Sequence, residues 1–489
     1  MKRTLSALLL IALLASVSCG GEAQPQNETT VSSDTTEPAE VTTARIEPDL
    51  PDKRWDGYEF RVLTKGDTNV HWKSKDIAAS EENGDVINDA VFKRNLAVTD
   101  RFGVTFTDIA SSSGTWNLSS PARTSIMAGA DDFDMIAGAP SEVVKNLAPD
   151  GLLMDLSDIP YIDLEKPWYD QNSIEQMSIG GKVFCATGSM LIMDDDATLV
   201  VLFNKKLATD YKLPDLYELV DSGKWTIDVM NKYATDASAD LNNDGVMGNE
   251  DQYGLTSEAL NTYACMVASG VQLVTKKGDE LTFNTSSERF VDAFNKSVKL
   301  NRDYDICIHS SKITGVSDSY VEVIDPAFIA NRILFNMAGL VRVSHFRAME
   351  TDFGIIPMPK FDESQEEYYS MVSLPCSNTI IVPKTASDLE RTGAIIEALS
   401  AEGHYTLRDA YYDNVLKAKG ARDEESAAML DLIFGNRVYD IGYMYDWGGL
   451  VNSINTLEID GNIASTMDSN LSAAKTAMEK TLEAYEKLS

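Results

Sequence analysis

Apolar residues change their rhythm along the chain, and each rhythm points to a kind of element. Residues 5–14 are an apolar stretch, interrupted only by Ser6, behind Lys2 and Arg3, too short to span a bilayer, which takes about 20 residues. Residues 20–48 are almost wholly Gly, Glu, Gln, Ser, Thr and Pro. Such a segment buries no core, so a disordered tether is expected over 19–50. The texture changes at Tyr58, where Tyr58, Phe60, Val62 and Leu63 alternate with polar neighbours and then run together, as in a first buried strand. Asp85 then stands as a cap before Ile87, Val91, Arg94, Val98 and Phe102 at helical spacing, with Arg94 the one polar residue on that face and Gly103 the stop. Residues 104–107 read as the next strand and 133–137 as another. Ser141 reads as the cap of a helix running to Leu147, before Gly151-Leu152-Leu153. Strands alternating with helices argue for parallel sheets. At 489 residues the chain exceeds one comfortable sheet, so two α/β lobes are expected.

Charge narrows the choice of partner. The formal net charge of −34 disfavours nucleic acid and anionic lipid. Beside Cys19 there are four scattered cysteines, Cys185, Cys265, Cys307 and Cys376, none in C-x-x-C spacing. Buried free thiols are expected of them, not a disulfide framework.

The amino-terminal pattern is that of a secretory signal: a basic start, the apolar stretch, then small residues from Ala15 to Ser18 before Cys19. Ending on cysteine, it resembles the bacterial lipobox, although Ser16 stands where leucine is usual. The resemblance implies a signal peptide over 1–18, a lipid on Cys19, and a protein on the outer face of the cell membrane, extracellular or periplasmic.

A second resemblance runs through the body of the chain. Gly181-Lys182-Val183-Phe184, then Leu202-Phe203-Asn204-Lys205-Lys206-Leu207, then Lys224-Trp225-Thr226, and later Phe335-Asn336-Met337-Ala338-Gly339 and Gly354-Ile355-Ile356-Pro357-Met358-Pro359, follow one another in a familiar order. That order and spacing resemble the extracellular solute-binding proteins of family 1, the sugar-binding subunits of ABC transporters. The resemblance implies an α/β, two-lobe periplasmic-binding-protein-like fold of type II, with a hinged cleft between the lobes. Lobe 1 would cover 51–187, lobe 2 188–354, a return to lobe 1 355–403, and carboxy-terminal helices, mainly on lobe 2, 404–489. It also implies a non-enzymatic role: capture of a carbohydrate, an oligosaccharide by expectation, and delivery to ABC-transporter permease subunits.

Sugars present apolar CH faces rimmed by hydroxyls, so their sites pair aromatic platforms with carboxylates and amides. Trp72, Trp116, Trp168, Tyr169, Asp170, Tyr443 and Trp447 lie in segments without core periodicity. All but Trp116 are taken as ligand-binding candidates. From the resemblance come Asp195, within the acidic run 194–196, together with Tyr263 and Asn336. The acidic surface disfavours an anionic ligand at long range, although a local site could override this, so a neutral sugar is expected.

One loop carries a metal pattern of its own. Asp240, Asn242 and Asp244 fall at positions one, three and five, Gly245 at six, Val246 at seven for a backbone oxygen, and Asp251 at twelve. This is the EF-hand calcium spacing, with Asp251 a shorter arm than the usual glutamate, as in dockerin-type loops. A structural Ca2+ is expected there. The four histidines, His71, His309, His345 and His404, are isolated from one another in sequence, and zinc-protease, nucleophile-elbow and phosphate-loop motifs are absent. The many acids are compatible with a secreted glycoside hydrolase, which needs two placed carboxylates. A surface glycan-binding or sensor protein without transport is the other alternative. Cys19→Ala is expected to move the protein from the membrane to the soluble fraction, scored by fractionation and blotting; undiminished membrane retention would refute the anchor.

Overall fold

The computed structural model describes residues 45–66, 68–416 and 424–488, and the alternation of strands and helices resolves there into two principal sheets. In the first, Glu59–Thr64 lies parallel to both Thr105–Ala110 and Met135–Gly138, and Thr379–Ile381 joins Met135–Gly138 antiparallel. In the second the order is Phe353–Ile356, Leu199–Asn204, Ile333–Gly339, Tyr253–Ser257, Cys307–His309. Leu199–Asn204 runs antiparallel to both of its neighbours. Both sheets are therefore mixed where parallel pairing was expected, because strands arriving by the crossings between sheets enter against the local direction. The chain passes from the first sheet to the second between residues 138 and 199, and back between 356 and 379. Residues 47–489 form one compact unit. Cys19, the signal segment and most of the tether lie outside the described residues. None of the described helices is long and apolar enough to cross a membrane.

Local chemistry accounts for the element ends. Asp85 accepts hydrogen bonds from the Ile87 and Asn88 amides and so starts the helix Val86–Phe102; Gly103, at φ 73°, ends it. Asn204 caps Lys205–Asp210, and Thr226 caps Ile227–Ala237. The strand expected at 104–107 extends over Thr105–Ala110, and the one at 133–137 lies over Met135–Gly138. Ser141 does not cap the helix Val143–Leu147: Glu142 takes that position without a side-chain capping bond. Its carboxylate instead accepts the Leu118 and Ser119 amides at the start of the helix Ser119–Met127. Cys185, Cys265, Cys307 and Cys376 are free thiols, the first three buried.

Arg94, the odd residue on an apolar helix face, is fully buried. Its guanidinium donates to the Met190 carbonyl at 2.7 Å, the Asp76 carbonyl at 2.7 Å and the Asn95 side-chain oxygen at 2.8 Å. Burial pulls its pKa down to about 10, against the field of Asp76. The helix is thereby tied to two loops that have no regular ladder of their own. Arg94→Ala would strip those carbonyls of their donor and open a void. A loss of about 3 kcal/mol or more in urea unfolding is expected; a loss below about 1 kcal/mol would show that water replaces the bonds.

Candidate functional site

In open α/β sheets ligands bind outside the carboxyl ends of the strands, and in the first sheet those ends converge on a cavity of about 290 Å³. Lys65 directly follows Glu59–Thr64, Trp116 lies in the turn after Thr105–Ala110, and Glu142 and Lys145 follow Met135–Gly138. Tyr443 and Asp446, from the helix Ile441–Tyr445 and its end, close the opposite wall.

Lys65 is the floor. Its buried ammonium donates to the carbonyls of Pro375, Cys376 and Ser377 at 3.1, 2.7 and 3.0 Å, using all three of its hydrogens. Burial lowers its pKa to about 8. Gly66 then lets two loops meet, since a Cβ there would lie 2.2 Å from the Ser111 carbonyl. Thr115 bridges the same loops, donating to the Gly66 carbonyl at 2.7 Å. Trp116 is thus held on a firm base, with the Lys65 ammonium 5.6 Å from its ring centroid, yet it stays 48% exposed. A tryptophan fixed at its root and open on its face is a stacking platform. The cavity's acids are engaged: Glu142 holds the Leu118 and Ser119 amides, and Asp446 accepts the Val451 amide at 2.8 Å.

No protein-family model matches the chain, and no curated protein matches it. Among solved structures it is similar to a cyclo/maltodextrin-binding protein complexed with maltotetraose, at a TM-score of 0.54 and 15% identity over 90% of this chain and 98% of that one. It is also similar to an ABC substrate-binding protein from Listeria monocytogenes in complex with cycloalternan, at 0.53 and 14% over 88% of this chain and 99% of that one. A maltose/maltodextrin-binding domain from Bdellovibrio bacteriovorus bound to maltotriose matches at 0.52 and 14%, again over 88% and 99%. The chain has the two-lobe, type II periplasmic-binding-protein fold. Within this fold the cavity lies at the carboxyl ends of the first-sheet strands, faced by Pro375, Tyr443 and Asp446, and the expectation of fold from sequence resemblance holds.

The same fold redistributes the residues expected at the ligand. Trp168 is 0% exposed, inside the core beneath the first sheet, and the buried Tyr169 donates its hydroxyl to Glu397 at 2.7 Å. Trp447, 4% exposed, stacks on Tyr445 at 4.7 Å and donates its indole N–H to Thr481. Tyr263 is buried with its hydroxyl accepting the Leu273 amide, and Asn336 is buried with its side-chain oxygen accepting from Thr256. All five are buried where open faces were expected, although Trp168 and Tyr169 line a second cavity, together with Asp170 and Asp195, and the Asn336 side-chain nitrogen has no hydrogen-bond partner among the described residues. Trp72 and Tyr443 keep partial exposure; Tyr443 lines the cavity, and Trp72 lies against Gly339 at the end of a second-sheet strand.

Asp170 and Asp195 meet elsewhere, in a second cavity of about 320 Å³. There Arg437 forms ion pairs with Asp170, Asp194 and Asp195. Burial pushes Asp195 up to about 6, and burial together with the neighbouring Asp195 raises Asp194 well above the usual carboxylate range, both against the field of Arg437. Arg437 belongs to a strand paired with Ser370–Met371, on the return crossing, while Asp194 and Asp195 sit where the first crossing enters the second sheet. The cluster clasps the two crossings together. It was visible in sequence only as an acidic run, because its cation lies 242 residues away from Asp195.

The loop 240–251 follows the helix Ile227–Ala237 and leads into the strand Tyr253–Ser257. Asp240 accepts the Asn243 and Gly245 amides, Asn242 that of Asp244, Asp244 that of Val246, and Asp251 those of Leu241 and Gly248. These two amides hold Asp251 below the usual carboxylate pKa. The donors are hard oxygens with lone pairs to spare, as calcium requires. Among the described residues no group of three or more His, Cys, Asp or Glu stands assembled around a metal position. Lys65, Trp116, Glu142 and Lys145, which line the first cavity, are not among the ligand candidates expected from the sequence. Their shared position after successive strand ends was the available signal.

Proposed function

We propose that the protein is an extracellular solute-binding protein, lipid-anchored through Cys19, that captures a carbohydrate in the cleft cavity and delivers it to an ABC importer. The observation that carries this reading is Trp116, rigidly rooted and 48% exposed at the carboxyl ends of the first-sheet strands. The names of the solved relatives of the same fold support it: maltotetraose, cycloalternan and maltotriose are the molecules bound to them. Binding rather than hydrolysis fits the cavity's carboxylates, since Glu142 and Asp446 already hold backbone amides where a glycosidase needs one acid to protonate and one to attack. Two α/β bodies joined by crossing segments let a ligand stabilise a closed state that a permease can read. A thermal-shift screen of glycans followed by calorimetry tests the reading. Trp116→Ala is expected to cost about 2 kcal/mol, roughly thirtyfold in Kd, while Trp447→Ala should instead lower stability. Wild-type affinity in Trp116→Ala, or turnover of the glycan, would refute it.

The loop 240–251 is assigned within this proposal to a structural calcium ion held by Asp240, Asn242, Asp244, the Val246 carbonyl and Asp251. Its support is the ligand spacing and the all-oxygen donor set. Calcium at about 100 times its Kd is expected to add roughly 2.7 kcal/mol of stability, abolished in the Asp240→Ala, Asp244→Ala double variant. Identical melting in calcium and in chelator would refute the site.

A further inference from the structure

Lys145 is the unsolved charge of the cleft cavity. It lies on the helix Val143–Leu147, three residues and so about one turn after Glu142, on the same face. Its side chain is half-buried and lines the cavity that holds Trp116. The other charged groups of that wall are satisfied: Lys65 by three carbonyls, Glu142 by two amides, Asp446 by one. Lys145 makes no side-chain hydrogen bond or ion pair among the described residues and feels only the field of Asp446, while burial lowers its pKa. A half-buried ammonium without a partner is costly unless something else completes it.

Resting on the carbohydrate reading above, we propose that the bound sugar is acidic: a uronic acid residue stacks on Trp116 and places its carboxylate on the Lys145 ammonium. The long-range repulsion from the acidic surface, which argued for a neutral sugar, does not decide the matter. It is screened beyond about 8–10 Å at physiological salt, whereas a charge-assisted bond inside a cavity is roughly twice as strong as a neutral one. Trp116 supplies the sequence-tolerant stacking common to all sugars, and Lys145 supplies the discrimination between acid and ester.

The experiment is calorimetry with glucuronic, galacturonic and digalacturonic acid, each beside its methyl ester, at low and high salt. At least one acid is expected to bind tenfold or more tighter than its ester, with the preference shrinking in high salt. Lys145→Met should reduce the acid-to-ester ratio to threefold or less, and Lys145→Arg should retain the preference; a melting scan of each variant confirms that it is folded. Equal binding of acid and ester by wild type, or a preference that survives in Lys145→Met, overturns the acidic-sugar proposal and leaves carbohydrate capture standing. Binding of acid and ester that is indifferent to Trp116→Ala overturns the platform itself, and with it both readings.

Discussion

The buried ammonium of Lys65 is the constraint on which the cleft depends. It stands at the end of the first strand of the first sheet and grips three successive carbonyls of the segment returning from the second sheet. Those carbonyls belong to no ladder, so without this donor the return crossing would carry unsatisfied buried groups. The same contact sets the floor of the cavity and lies beneath the Trp116 ring. The return crossing and the base of the Trp116 ring thus share one side chain, and burial lowers that side chain's pKa to about 8.

Around this point the molecule treats its charges in three distinct ways. Arg94 and Lys65 are spent on backbone carbonyls and act as internal pegs for loops. Arg437 is spent on three aspartates and fastens the two crossings. Lys145 makes no hydrogen bond or ion pair among the described residues and feels the field of Asp446. A buried charge pair is by itself weak evidence for stability, because desolvating the two ions offsets their attraction.

Aromatic residues divide in the same way. Trp168 and Trp447 occur among glycines and acids in sequence, which makes them look like loop residues, yet each is the centre of a packed cluster. Trp447 sits on the flat face of Tyr445 and anchors the turn against the long final helix Ile463–Glu486. Trp116 lies in an equally unpatterned segment and is exposed. Local sequence is the same in kind for all three, so the distinction depends on which other segments arrive to cover the ring.

Periodicity and capping chemistry determined much by themselves: the Asp85 start and Gly103 stop, the buried face of the first helix, the first strand, the turn at 240–251, and the order of segments that foretold two lobes. These are set by interactions between residues a few positions apart, which a linear reading contains. The tertiary structure alone decided the mixed direction of the sheets, the role of Arg94, the pairing of Arg437 with acids far away in the chain, and the choice of Trp116 over Trp168 and Trp447 as the open ring. Each of these depends on burial, and burial is a property of segments brought together by the crossings between the sheets. No local pattern of residues encodes which side of a tryptophan is left for water.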